Sequence, residues 1–266
     1  IMQAGAGSGV TSRRLNGART SDANRRAGVL AFGDSITNGG GELQWGVALQ
    51  SWALWVARGL GLPFTTYAVD GAQVGDVLAA QIPAYGRRNA YGDAAYELGC
   101  LYIGVNDVRA LDWDAARFEE RFELALGFLS QRCDRVLTAT APLDLGVPRV
   151  GSRVDELNGA VERVAGRLGA LVVDLRRFRA RNFVMADRVH PTALGQIAIA
   201  ERALDVLERD GMRVMVRPSS LVIYRIDRFD RIRGDATYAY RSLKEWTKAA
   251  RTAALGLYLS RSDKGV

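Results

Sequence analysis

From residue 29 to about residue 208, short apolar runs alternate with segments whose apolar residues recur every three or four positions. That alternation constrains the fold more than any other feature of the chain. Strands are predicted at 29–32 (VLAF), 64–69, 101–105 (LYIGV), 135–140 and 171–175. Helices are predicted at 45–60, at 74–81 and from a cap at Asp112 through 132, the last with Phe118, Phe122, Leu126 and Leu129 on one face. Two more are predicted at 154–168 (Leu157, Val161, Val164, Leu168) and at 191–206, where Pro191 suits a first helical turn. Strands that alternate with helices bury both faces of a parallel sheet through right-handed crossovers. The expectation is an α/β fold with a five-stranded parallel sheet. At 48% hydrophobic residues the chain has ample core for it.

The ends differ from this body. Residues 1–28 are small, polar and basic, with five arginines against one aspartate, and read as a flexible arm. The run Gly5-Ala6-Gly7-Ser8-Gly9 follows no strand, so it fails as a phosphate loop. Residues 29–211 carry 19 basic against 23 acidic residues, and 212–266 carry 12 against 5. The net charge of +7 therefore sits at the ends, and no nucleic-acid partner is expected of the mildly acidic body. No apolar run reaches the ~18–20 residues of a membrane span, and the first residues lack the apolar core of a secretory signal. A cytoplasmic protein is the resulting expectation.

Chemistry concentrates where the predicted strands end, the edge at which open parallel sheets bind ligands. The first strand runs into Gly33-Asp34-Ser35, the second into Asp70-Gly71-Ala72 and the third into Gly104-Val105-Asn106-Asp107. Ser35, Gly71 and Asn106 lie 36 and 35 residues apart, about one strand–helix unit each. After the fifth strand comes Asp187-Arg188-Val189-His190-Pro191, with the only histidine of the chain. A carboxylate three residues before an imidazole can take its N–H and fix its tautomer. Acyl transfer suits this set: Ser35 as nucleophile, His190 as base, Asp187 as its orienter. A backbone N–H at Gly71 and the Asn106 amide would serve as oxyanion donors.

These residues carry a family resemblance. FGDSIT at 32–37, AVDGAQVGDVL at 68–78, GVND at 104–107 and DRVHPTALGQ at 187–196 resemble the four blocks of the SGNH, or GDSL-type, hydrolases. The resemblance spans 29 to about 208 and implies a flavodoxin-like three-layer α/β/α sandwich. It implies an oxyanion hole from the Ser35 N–H, the Gly71 N–H and the Asn106 side chain, with Asp187 and His190 completing a triad. Three positions depart from the family pattern: Ile36 replaces a leucine, Val105 stands where many members have a second glycine, and TTYAVDG lacks an asparagine. None of the three touches a reacting atom, though Val105 could narrow the pocket.

The expected activity is serine ester hydrolysis through an acyl-enzyme, on a small-molecule or carbohydrate ester. An acyltransferase sharing that intermediate is the near alternative, and a scaffold with a vestigial site is the distant one. No metal or organic cofactor is called for, and with two cysteines and one histidine a zinc site of His and Cys alone is ruled out. Cys100 and Cys133 are expected as free thiols, Arg109 as a solvated cation near the site, and Trp45 as a helix residue close enough to line the pocket. The division reads as an arm at 1–28, the hydrolase domain at 29–211 and a basic extension at 212–266. Within the extension, 221–226 looks strand-like. From Asp235 a helix puts Ala239, Leu243, Trp246, Ala250, Ala253 and Leu257 on one face, and Arg241, Lys244, Lys248 and Arg251 on another. That stripe must be hidden on the parent domain, on a second copy or on an anionic membrane, and docking on protein is the favoured expectation.

Overall fold

The computed structural model describes residues 26–44, 46–88, 94–146, 150–225 and 227–262, with side chains in the final helix as far as Thr247 except Glu245. Most of the N-terminal arm, Trp45, and the side chains of Lys248, Ala250, Arg251, Ala253 and Leu257 lie outside the described residues. Five strands form one sheet: β1 (Val29–Gly33), β2 (Phe64–Thr66), β3 (Tyr96–Tyr102), β4 (Cys133–Ala139) and β5 (Leu171–Val173). Their order is β2-β1-β3-β4-β5 and every pairing is parallel. β1 is buried along its whole length, as a central strand covered on both faces must be.

The helices make the outer layers. α2 (Trp52–Leu60) and α8 (Ala193–Arg209) pack together on one face. On the other lie α6 (Ala115–Ser130), α7 (Arg153–Leu168) and the segment of α3 (Val74–Asp76), a π turn (Val77–Gln81) and α4 (Ile82–Arg88). This is the three-layer α/β/α arrangement expected from the alternation. Short helices α1 (Ser35–Asn38) and α5 (Val105–Arg109) follow β1 and β3 directly.

Several boundaries differ from the sequence reading, each for a local reason. α2 starts at Trp52, not at 45, because the Ser51 side chain caps it through the Ala53 N–H and Gly46 is left-handed (φ 77°). The helix predicted to stop at 81 runs on to Arg88, and the widened π turn is where the ladder absorbs the missing N–H of Pro83. β3 begins five residues early at Tyr96, and Val105 belongs to α5 because Gly104 (φ 115°) turns the chain out of the strand. Asp114, not Asp112, caps α6 by accepting from the N–H groups of Ala116 and Arg117, while Asp112 pairs with Arg117. Thr192 caps α8, so Pro191 stands before the helix and not in its first turn.

The extension is not strand-like. Residues 212–217 run extended along α2, where the N–H groups of Met215 and Val216 donate to the Gly59 carbonyl. Pro218–Leu221 is a 3-10 turn, and no strand forms at 221–225 among the described residues. The final helix, α9 (Arg228–Ser262), starts seven residues before Asp235. Its described apolar side chains do not pack on the parent domain: Leu243 is 63% exposed and Trp246 71%. Of the two protein surfaces expected to hide the stripe, the parent domain does not cover these side chains. The face α9 turns to the body is polar, with ion pairs from Asp235 to Arg181 and from Arg241 to Glu42.

Candidate active site

The order β2-β1-β3 makes consecutive strands diverge on either side of β1, opening a crevice at their carboxyl ends. Three loops enter it. After β1, Gly33 adopts φ 152°, and a Cβ there would stand 2.5 Å from the Tyr102 carbonyl oxygen. Only glycine lets the chain pass this close to β3 and turn at once into α1. Asp34 caps α1 through the Ile36 N–H (2.9 Å) and is itself 1% exposed. Burial pushes its carboxyl up from 3.8 to about 7. Ser35 is thereby held at the first position of a helical turn, where a backbone N–H has no partner within the helix.

After β2, Gly71 is left-handed (φ 76°) with open space where a side chain would stand. Among the described residues neither the Ser35 N–H nor the Gly71 N–H finds an acceptor. After β3, the Asn106 amide nitrogen donates to the Ala72 carbonyl (3.0 Å), which fixes the amide beside the β2 loop and leaves its second N–H unspent. Next to it Asp107 accepts from the Val74 N–H (3.1 and 3.2 Å), and its burial raises its carboxyl to about 6.

The fourth contribution comes from the loop before α8. Ser35 Oγ lies 2.8 Å from His190 Nε2, and His190 Nδ1 lies 2.7 Å from Asp187 Oδ2. Asp187 Oδ1 accepts from the backbone N–H groups of Val189 (2.9 Å) and His190 (3.0 Å), so one carboxylate holds both the ring and the turn that carries it. Arg188 within this turn has φ 61°, the one positive φ outside glycine among the described residues. His190 is raised above its ordinary 6.5, first by the hydrogen bond to Asp187 and against the effect of burial. Asp187 is pushed up by burial, but the donors from the His190 ring, Val189 and His190 outweigh this and hold it low. Ser35, His190 and Asp187 thus stand in direct contact, while Gly71 and Asn106 follow β2 and β3 at the same edge of the sheet.

The chain matches the GDSL-like Lipase/Acylhydrolase family over residues 31–198. It belongs to that family. Membership makes it an ester-hydrolysing enzyme of the SGNH type. No curated protein matches the chain. Among solved structures it is similar to LAE5, an alpha/beta hydrolase enzyme from the metagenome of Lake Arreo, Spain (21% identity, TM-score 0.52, 68% of this chain and 95% of that one). It is also similar to Axe2, an acetylxylan esterase from Geobacillus stearothermophilus (19% identity, TM-score 0.52, 68% and 94%), and to a catalytic mutant of that esterase (18%, 0.56, 72% and 97%). At these identities the likeness is one of fold.

Two expectations around the site change. Val105 is buried in the core, so it does not narrow the pocket. Arg109 is half-buried and donates to the Leu145 carbonyl, tying the loop after β4 to α5 instead of standing in solvent. Two glutamines were not singled out from the sequence. Gln81 grips Gly33 from both sides, accepting from its N–H (3.0 Å) and donating to its carbonyl (2.8 Å). Gln196 accepts from the Trp52 N–H and donates to the carbonyls of Ile36 and Gly40, clasping the α1 loop between α2 and α8. Their signal was a polar residue on the apolar face of each helix, which marks a buried partner.

Proposed function

We propose that this family member is a serine esterase in which Ser35, His190 and Asp187 act as a triad on acetylated or other short-acyl carbohydrate esters. The hydrogen-bonded chain Ser35–His190–Asp187, at 2.8 and 2.7 Å, carries the reading. With Nδ1–H donated to Asp187, Nε2 is left to accept the serine proton. Ser35 Oγ attacks the acyl carbon and its proton passes to His190. The carbon–oxygen bond to the alcohol then breaks, and the alcohol leaves with that proton. Water attacks the acyl-serine, gives a proton to His190, and the acid departs as Ser35 recovers its hydrogen. The Ser35 N–H, the Gly71 N–H and the free N–H of Asn106 would hold the oxyanion at both stages.

The substrate class draws on the half-exposed site and on the acetylxylan that Axe2 cleaves. A fluorophosphonate label should attach to Ser35 in the native chain and be absent from Ser35→Ala, read by peptide mass spectrometry. Ser35→Ala and His190→Ala should each lose about 10⁴-fold in kcat, with little added by combining them. Asn106→Ala should lose about 10²–10³-fold. An unlabelled Ser35 in folded protein would sink the triad. Faster turnover of long-chain esters than of acetyl esters would sink the substrate class alone.

A further inference from the structure

α9 is turned inside out relative to an ordinary surface helix. At about 100° per residue, Phe229, Ile232, Ala236, Ala239, Tyr240, Leu243 and Trp246 fall on one arc of about 120°. Every one of them is exposed, and the large ones are 63–71% accessible. The opposite arc meets the body. Asp230, Gly234, Thr237 and Arg241 line a cavity of about 340 Å³ against Glu42 and Arg181. Tyr224 donates to Asp230, Asp235 pairs with Arg181 at 2.5 Å, and the same guanidinium lies 5.9 Å from the Tyr238 ring centroid. A helix in water gains by the reverse orientation.

The charge follows the same division. The acids Asp230 and Asp235 are on the inward side and partnered there. Exposed Arg228, Arg233 and Lys244 border the apolar arc, and exposed Arg225 and Asp227 precede the helix. We propose that this outward face of α9 binds an anionic membrane surface, lying in the headgroup region with its basic flanks on the lipid phosphates. Trp246 and Tyr240 supply the amphipathic rings that suit that depth. Among the described residues no helix is long and apolar enough to cross a membrane, so the helix lies in the surface and does not span it. A second copy fits less well, because a two-fold contact through this face would bring two sets of the same cations together. The inference is independent of the catalytic assignment.

The test is flotation of the full chain with phosphatidylcholine vesicles and with vesicles in which about a third of the lipid is phosphatidylglycerol. Recovery is expected with the anionic vesicles only, falling as salt is raised. Leu243→Glu with Trp246→Glu should abolish it. Arg228→Gln and Lys244→Gln should each weaken it about fivefold, as expected for one basic residue near a charged surface. Both side chains of the apolar pair are exposed, so the variants should keep wild-type melting and wild-type turnover of a soluble ester. Absence of recovery on anionic vesicles at low salt overturns the proposal. So does equal, salt-insensitive recovery on both vesicles. A dimer in sedimentation that Leu243→Glu dissociates, with no vesicle binding, assigns the face to a second copy and overturns it as well.

Discussion

His190 is pulled two ways: Asp187 and Asp34 favour its charged form, and burial favours the neutral form that Ser35 needs. The first influence wins, so kcat/KM should rise with pH along a limb centred above 6.5 and level off in alkali. The stability that Asp187 lends His190 has the matching sign, present below the unfolded value and lost as pH rises through the folded one. Asp34 adds a second dependence. Its carboxyl, about 7 when folded against 3.8 ordinarily, binds a proton more tightly in the native state, so stability falls as pH rises from the carboxylate range to about 7. Asp34→Asn keeps an oxygen for the Ile36 N–H and removes that loss. Urea melts should show the variant gaining on wild type at a pH of about 8 but not at about 4. Its activity limb should shift to lower pH, since one negative charge near His190 is gone. An unmoved limb would mean that Asp34 does not act on the imidazole.

At the scale of elements, the α1 loop is held by glutamines from two different helices, and Gln196 is the sharper test. Fully buried, it satisfies one N–H and two carbonyls that belong to α1, α2 and the loop between them. Gln196→Leu leaves those groups unpaired and should cost about 2–4 kcal/mol by chemical denaturation, with kcat reduced because Ser35 rides on the same loop. A loss within about 0.5 kcal/mol would show that water or a shift of α2 replaces the amide. How far such elements could be read from sequence depended on whether the signal was local. The periodicity of α7 gave its first turn to within one residue; GDS, DG and ND marked where the chain leaves β1, β2 and β3, and DxxH the loop before α8. The start of α2 was missed because the apolar residues before Ser51 continue the helical spacing while the cap and Gly46 break it. The early half of β3 was missed because Glu97 interrupts the apolar run, yet its carboxylate takes the Gly28 N–H. The orientation of α9 was illegible, because periodicity shows that a stripe exists and not which way it faces.

For the whole molecule, we propose that the seam between body and extension falls after residue 222 instead of at 211. Met212, Val214 and Val222 pack against the core, the Met215 and Val216 N–H groups bind Gly59, and Arg217 reaches Glu201, Asp205 and Glu208 on α8. A chain ending at 211 should melt at least several degrees below one ending at 225, by about 1–3 kcal/mol of lost burial and hydrogen bonding. The chain ending at 225 should keep soluble-ester turnover. Equal melting of the two would return the seam to 211. The reach between Ser35 and His190 has a consequence of its own. Their hydrogen bond closes 155 residues of chain, whereas Asp187 and His190 are three apart. Closing so long a loop directly is entropically costly, and the intervening parallel pairings shorten it step by step. The imidazole can meet the serine only once β3, β4 and β5 are aligned and α8 is seated on α2. A refolding chain that has regained its helices and strands but not that last docking would look native by circular dichroism and be inert toward ester. Recovered turnover is therefore the stricter gauge of a native molecule, and it should be the last signal to return.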